Sequence, residues 1–339
     1  MPTADFSLRL IHWQQSHGRH SLPWQTERTP YRVWLSEIML QQTQVATVLP
    51  YFERFVARFP TLAQLARASE DEVLALWSGL GYYSRARNLH RTARRIVECH
   101  TGVFPDHPEA LIALPGIGRS TAAAILSLAY DARAAILDGN VKRVLARHAG
   151  IAGWPGTKPV ENALWREAEA RLPDARFDRY TQAMMDLGAL VCIRTRPDCA
   201  ACPVAEDCVA RREGRTAELP GARPRKPKRI EVTQMLLLVD SHGRLLLEKR
   251  PPRGIWGGLW CLPQLAPEAD PVDYCLARLG LAPESQEALP AFRHAFTHFS
   301  LDIRPRLLRF DQATLPASSP AAPDQRWLER DAALDSGLP

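Results

Sequence analysis

Over roughly the first 215 residues, apolar positions return every three or four residues. The stretches YRVWLSEIMLQQTQVATVLPYFERFVARFP, DEVLALWSGLGYYSRARNLHRTARRIVECH and RSTAAAILSLAY all carry this period, which predicts amphipathic helices. Pro60, Pro105, Pro115 and Pro173 fall where those helices should start or stop. Beyond residue 230 the period changes to two. TQMLLLV and RLLLEKR flank Asp240-Ser-His-Gly243, a hairpin pattern, and Phe299, Leu301 and Ile303 alternate with polar residues as in a half-buried strand. Between the two regimes, Ala222 to Arg229 holds five basic residues in eight (Arg223, Arg225, Lys226, Lys228, Arg229) and no acid, so it has little apolar area to bury. The expected organisation is multi-domain: an all-helical domain over 1–215, a basic linker over 216–231 and an α+β domain over 232–339. The Ala- and Pro-rich tail from about Asp311 is expected to be partly irregular, and the chain holds no internal repeat.

Composition narrows this picture little but excludes some classes. A length of 339 residues with 46% hydrophobic and 24% charged residues suits about two globular domains. No stretch approaches the roughly 18 apolar residues of a membrane span, and the start MPTADFSLRLIHWQQSHGRH has no secretory pattern. A cytoplasmic protein is expected, nucleoid-associated if bacterial. The net charge of +6 suits a polyanionic partner without identifying one.

Seven cysteines is an odd number, and four of them share one short segment, which argues for a reducing compartment over a disulfide framework. Cys192, Cys199, Cys202 and Cys208 leave gaps of six, two and five residues. Four thiolates so spaced can saturate either a tetrahedral zinc or a cubane cluster. Zinc sites usually pair two C-x2-C knuckles and only one is present here, so the expectation is a single [4Fe–4S] cluster. Arg194 and Arg196 meet no acid until Asp198 and would offer positive charge to phosphates. Cys99, Cys261 and Cys275 are scattered and read as buried structural thiols, and His12, His17 and His20 as solvated side chains.

Leu114-Pro-Gly-Ile-Gly-Arg-Ser-Thr121 lies between two helical stretches. Gly116 and Gly118 permit a tight turn and a close approach of backbone N–H groups to an anion at the next helix N-terminus. Followed by AAAILSLA, the segment is the pattern of a helix–hairpin–helix, which grips a DNA backbone without reading its sequence. Two carboxylates stand out. Asp138, before Gly139 and Asn140, reads as a helix N-cap or as a reacting carboxylate. Glu37, among Leu35, Ile38 and Met39, reads as a solvated helix position or as a desolvated acid of raised pKa.

Taken together, LPWQ, SEIMLQQTQV, GLGYY, LPGIGRST, ILDGNVKRVL, QAMMDLGA, the four-cysteine spacing and FRHAFTHF resemble the helix–hairpin–helix DNA glycosylases, and among them the adenine DNA glycosylases (MutY family), from about Leu22 to Arg309. The resemblance implies a duplex DNA partner with adenine opposite 8-oxoguanine or guanine, and a flipped-out adenine. Glu37 would protonate the imidazole-ring part of the base. Asp138 would stabilise or transiently bond the sugar C1′, with Asn140 orienting Asp138 or the sugar. Trp24 and Gln182 would line the base pocket, with Lys142 as a phosphate or abasic-site contact. Ser120 stands where related strand-cleaving enzymes carry a lysine, so base removal without efficient strand scission is implied.

Leu40, Gln41, Gln42 and Tyr82 resemble the family's wedge and opposite-base contacts. Tyr82 alone would read as core packing beside Trp77 and Tyr83. The C-terminal part, with GLWCLPQ, resembles a Nudix domain, yet no acidic cluster able to hold magnesium follows, so it reads as a recognition module. Phe296-Thr297-His298 falls where the family has a Phe-Ser-His turn contacting 8-oxoguanine, and Thr in place of Ser stiffens χ1. A monomer is expected. The competing readings are a bifunctional glycosylase/lyase, a nucleotide pyrophosphatase in the C-terminal part, and a DNA-binding protein without catalysis.

Overall fold

The computed structural model describes residues 3–224, 227–251, 254–310, 324–336 and 338. The helical part runs α1 (Thr3–His17), α2 (Pro23–Thr26), α3 (Pro30–Leu40), α4 (Val45–Arg58), α5 (Leu62–Arg67), α6 (Glu70–Trp77), α7 (Ser84–Cys99), α8 (Pro108–Ile112), α9 (Arg119–Tyr130), α10 (Gly139–His148), α11 (Lys158–Ala170), α12 (Phe177–Asp186), a π-helical turn (Leu187–Val191) and α13 (Val209–Arg212). Local chemistry explains the boundaries. Thr61 with Gln64 and Ser69 with Glu72 form capping boxes at the starts of α5 and α6, and Thr29 caps α3 with Pro30 at its first position.

Two compact units form, and the division is not a single cut in the sequence. One holds Met1–Ala68 with Asn88–Arg225; the other holds Ser69–Arg87 with Lys226–Pro339. In the first unit α9 is central and packs against α3, α8 and α12. Its small residues Ala122, Ala123 and Ala124 are buried, which permits those close approaches. Trp34, Phe52, Phe55, Phe59 and Met39 are fully enclosed. Residues 216–221, expected in the linker, are tied into this unit: Gly221 N–H donates to Gly153 O at 2.9 Å and Leu219 is buried.

The second unit contains one mixed sheet. Its strands are β1 (Arg229–Val239), β2 (Leu245–Lys249), β3 (Trp260–Cys261), β4 (Gln264–Leu265), β5 (Ser285–Ala288), β6 (Phe292–Ala295), β7 (Phe299–Arg309) and β8 (Gln325–Leu328), with α14 (Pro271–Leu279) and α15 (Arg330–Asp335). The order is β3-β2-β1-β7-β5, with β4 on β1, β6 on β7 and β8 on β2. β1 and β7 run parallel from Arg229↔Phe299 to Val239↔Arg309, and the other pairs are antiparallel. The predicted hairpin closes with Val239 opposite Leu245.

Side chains of β1 and β7 divide between two apolar clusters, as strand alternation requires. Leu236, Leu238 and Leu308 pack with Cys275 of α14, whereas Met235, Phe299, Leu301 and Ile303 pack with Ile255, Trp256 and Phe296. β1 starts at Arg229, inside the expected linker, because the strand pairs along its whole length; Arg225 and Lys226 lie outside the described residues. In the tail, residues 311–323 also lie outside them, but Gln325–Leu328 pairs with β2 as a strand, so that part is regular. Cys261 and Cys275 are buried as expected, while Cys99, at the polar end of α7, is exposed. His12, His17 and His20 are exposed. Among the described residues no helix is long and apolar enough to cross a membrane.

Candidate active site

An open cavity of about 1150 Å³ in the first unit gathers the two carboxylates. Glu37 enters it from α3, Ser120 from the first turn of α9, and Asp138 and Asn140 from the start of α10. The hairpin between α8 and α9 explains part of this placement. Gly116 sits at φ +78°, and a Cβ there would meet Asn88 Cβ at 2.9 Å, so only glycine fits the turn. Gly118, the residue before α9, faces open space and leaves the following N–H groups uncovered. Leu114 and Ile117 are buried and pin the turn from within.

Asp138 fills the capping role that its sequence context allowed, and its carboxylate is on the cavity wall as well. It is the N-cap of α10, accepting the Val141 N–H at 2.7 Å, and it also faces the cavity. Burial raises its pKa, and bonds from the Val141 and Asn140 N–H groups with the charges of Arg143 and Lys142 oppose that rise. Glu37 has no such relief. Burial and then the Asp138 charge push its pKa up to about 8. Both carboxyls are raised, but by different balances: Glu37 by burial and the Asp138 charge, which hold its proton near neutral pH, and Asp138 by burial against its N–H partners and two cations.

The other candidates are distributed unevenly. Leu40, Gln41 and Gln42 line the cavity, with Gln42 at φ +59°. Arg194 lines it too; Arg196 is exposed on the same loop and is not on the wall. Gln182 is buried, its amide donating to Asp186 Oδ1 at 2.9 Å, and Trp24 is buried edge-on against Phe52. Lys142 donates to Glu161 Oε1 at 2.9 Å. In the second unit Tyr82 is exposed at φ +50°, with its hydroxyl 2.9 Å from that of Thr297. His298 is exposed as well, but Phe296 packs against Phe299, Trp256 and His294, so it anchors the turn more than it presents a surface.

Three residues escaped the sequence reading. Arg19 lines the cavity and pairs with fully buried Asp186 through Nε at 2.7 Å. Arg143 donates to Asn140 Oδ1 at 2.8 Å, Gly188 O at 2.7 Å and Cys192 O at 2.8 Å, linking α10 to the π turn and to the first cysteine. Gly188 permits this closeness, since a Cβ there would meet Asn140 Cβ at 2.6 Å. Buried Arg147 donates to Ile193 O, Arg194 O and Leu219 O at 2.7, 2.9 and 2.8 Å. The signal for both arginines was their place on the inner face of α10, at five and nine residues past Asp138.

Cys192, Cys199, Cys202 and Cys208 line one small, largely apolar cavity of about 30 Å³ with Val144, Leu187 and Val204. Burial pushes the Cys202 thiol up to about 11, and the other three cysteines add to the rise. Arg147 Nη1 lies 3.4 Å from Cys192 Sγ. Among the described residues no three or more His, Cys, Asp or Glu are gathered as a single metal ion would require.

Comparison with known proteins follows this geometry. Residues 35–170 match the HhH-GPD superfamily of base excision DNA repair proteins, and residues 234–339 match the NUDIX domain. The adenine DNA glycosylase of Buchnera aphidicola subsp. Acyrthosiphon pisum is 40% identical over 306 residues, 90% of this chain and 86% of that one. The adenine DNA glycosylase of Mus musculus is 37% identical, covering 95% of this chain and 73% of its own. Among solved structures, a thermostable thymine-DNA glycosylase aligns with a TM-score of 0.56 at 26% identity, over 61% of this chain and 95% of that one. An endonuclease III–DNA complex shares the fold, with a TM-score of 0.53 at 21% identity, over 63% of this chain and 98% of that one. With a helix–hairpin–helix unit, a Nudix-like unit and relatives of this identity over nearly its whole length, the chain belongs to the adenine DNA glycosylases of base excision repair.

Proposed function

We propose that this glycosylase hydrolyses the N-glycosidic bond of adenine placed opposite 8-oxoguanine or guanine in duplex DNA, without efficient strand scission. The observation that carries the reading is the meeting of Glu37 and Asp138 in one cavity, Glu37 raised by burial and the Asp138 charge, Asp138 with N–H donors and cations around its carboxylate. Glu37, protonated near neutral pH, is suited to give its proton to the departing base. Asp138, held by the Val141 N–H and faced by the charges of Arg143 and Lys142, is suited to stabilise the positive charge that develops on the sugar. Asn140 is held by Arg143 beside it.

Strand scission through an imine needs a free amine at the sugar. Ser120 offers a hydroxyl, and its Oγ already accepts the Leu137 N–H at 2.9 Å. The amine of Lys142 is engaged by Glu161. Opposite-base selection is assigned to Leu40, Gln41 and Gln42 on the first unit, and to Tyr82 with the Phe296–His298 turn on the second.

The cysteine loop fits a [4Fe–4S] cluster: four thiols wall one apolar cavity, where burial and their mutual proximity disfavour the thiolates, and a bound cationic cluster core would favour them. Such a cluster supplies a covalent clamp on residues 192–208. Arg147 and Arg143 hold the same loop by its carbonyls, and Arg194 and Arg196 present charge for a phosphate backbone.

The test is single-turnover adenine release from one duplex with 8-oxoguanine, guanine or thymine opposite adenine, analysed with and without alkali. Release fastest against 8-oxoguanine, with breaks only after alkali, is expected. Breaks without alkali would overturn the monofunctional assignment, and equal rates against all three bases would overturn the mispair assignment.

A further inference from the structure

Asp71 lies in the first turn of α6, where an acid ordinarily needs no explanation beyond the helix dipole. Its surroundings differ from those of a solvated first-turn acid. Oδ1 accepts from Lys249 Nζ at 2.7 Å, Oδ2 accepts from Trp260 Nε1 at 3.3 Å, and Arg326 Nη2 lies 3.8 Å from Oδ2. Lys249 and Arg326 both stand over the Trp260 ring, 5.5 and 4.1 Å from its centroid. One carboxylate is therefore the counter-charge for two cations that share one indole. Burial raises the Asp71 pKa, and the bonds from Lys249 and Trp260 more than offset that, leaving it below the ordinary range. A lone exposed pair contributes little, but a carboxylate with two donors and a second cation, grouped around one aromatic ring, is a network.

The segment that Asp71 begins leads directly to the wedge. Ser78 Oγ donates to Leu338 O at 2.7 Å, Arg87 Nη1 donates to Gly257 O, and the Tyr82 and Thr297 hydroxyls meet at 2.9 Å. Inside the loop Arg85, itself buried, donates to Leu80 O and Gly81 O at 3.1 and 3.0 Å and lies over the rings of Trp77 and Tyr82. The loop is thus stiff, and where it is carried depends on what holds α6.

We infer that Asp71 is a positioning residue for opposite-base reading: with Lys249, Trp260 and Arg326 it docks Ser69–Arg87 on the C-terminal sheet and sets the place of Tyr82 beside the Phe296–His298 turn. The inference rests on the reading that Tyr82 and this turn contact the opposite base.

The test compares full-length wild type with Asp71→Asn, Lys249→Met and the double variant, with Glu70→Gln as a control for charge at the helix start. Adenine release opposite 8-oxoguanine and opposite guanine is measured under single turnover, and amide exchange is followed over residues 78–83. Asp71→Asn and Lys249→Met are each expected to lower the preference for 8-oxoguanine about threefold to tenfold and to speed exchange, with the double variant no worse than the stronger single. Glu70→Gln is expected to match wild type. A lowered melting temperature in Asp71→Asn with unchanged preference and exchange would overturn the inference, as would additive effects in the double variant. A wild-type enzyme with no preference overturns the opposite-base reading instead, whereas unchanged exchange in Asp71→Asn overturns the docking alone.

Discussion

Ser120 Oγ accepts the backbone N–H of Leu137 at 2.9 Å, so the first turn of α9 holds the segment that delivers Asp138, one residue on, to the cavity. The hydroxyl is a structural tie, and in the proposed mechanism it stands where a strand-cleaving enzyme would need an amine. Ser120→Lys gives up the tie and adds the amine. Adenine release is expected to fall roughly threefold to tenfold, the scale of one lost hydrogen bond, while strand breaks appear without alkali. Denaturing electrophoresis before and after alkali, with borohydride trapping of the imine, checks both effects. A variant that traps nothing would mean that position 120 does not reach the sugar.

Asp138→Asn separates the two duties of that residue. The amide oxygen can still accept the Val141 N–H, so the cap on α10 survives and stability should change by no more than about 1 kcal/mol. The negative charge is gone, and with it the stabilisation of the cationic sugar. Adenine release should drop at least a hundredfold to a thousandfold, with duplex affinity within about tenfold. Thermal unfolding, duplex binding and single-turnover release together decide this. A variant that keeps turnover shows that another group carries the charge.

Glu37 sets a pH dependence whose sign follows from its raised pKa of about 8. The protonated acid is the useful form, so adenine release should decline as pH rises through about 8. Stability runs the same way. A carboxyl whose folded pKa lies above its unfolded value contributes fully at pH below about 4.5, and that contribution is lost as pH climbs to about 8. Glu37→Gln removes the titration. It should raise the melting temperature relative to wild type by an amount that grows between those two pH values and then levels off, while base release collapses. A wild-type rate that keeps rising beyond pH 9 would remove Glu37 as the proton donor.

Much of this was legible in the sequence, and the reasons are physical. Periodicity of 3.6 located α3, α4, α6, α7 and α9, and periodicity of two located β1, β2 and β7, because burial of one face forces it. The packing of Phe296 was not legible, because its ring partners, Trp256 and Phe299, are brought together only by the sheet. The grouping of Ser69–Arg87 with the C-terminal unit was also invisible, since it depends on Asp71 meeting residues nearly 180 positions away. Arg19 carries no local motif, and Arg143 lies in ILDGNVKRVL without a role legible there; each is defined by a buried carboxylate or a carbonyl from another helix.

The cysteine loop makes a stoichiometric prediction. Purified protein should hold four iron and four sulfide per chain, with a broad visible absorption, and no matching zinc. Cys199→Ala should lose that absorption. It should also lower the melting temperature, because a clamp over residues 192–208 is opened, leaving Arg147 to hold the Ile193, Arg194 and Leu219 carbonyls and Cys192 Sγ. Zinc at one per chain, with no iron, would replace the cluster with a tetrahedral site.

Phe296 and His298 are neighbours in sequence with different duties, and alanine at each should tell them apart. Phe296 stacks on Phe299 at 4.7 Å and leans on Trp256 at 5.5 Å, so its ring holds the turn to the second apolar cluster of the sheet. Phe296→Ala should cost about 1 to 3 kcal/mol in the unfolding of the C-terminal unit, less than for a fully enclosed ring because the side chain is only part-buried. Selectivity for 8-oxoguanine should fall with it. His298 is exposed, so His298→Ala should leave unfolding unchanged and lower the selectivity alone. Unfolding of each variant measured beside adenine release opposite 8-oxoguanine and guanine draws the distinction. Should His298→Ala leave the ratio at its wild-type value, reading of the opposite base passes to Thr297 and Tyr82, whose hydroxyls already meet.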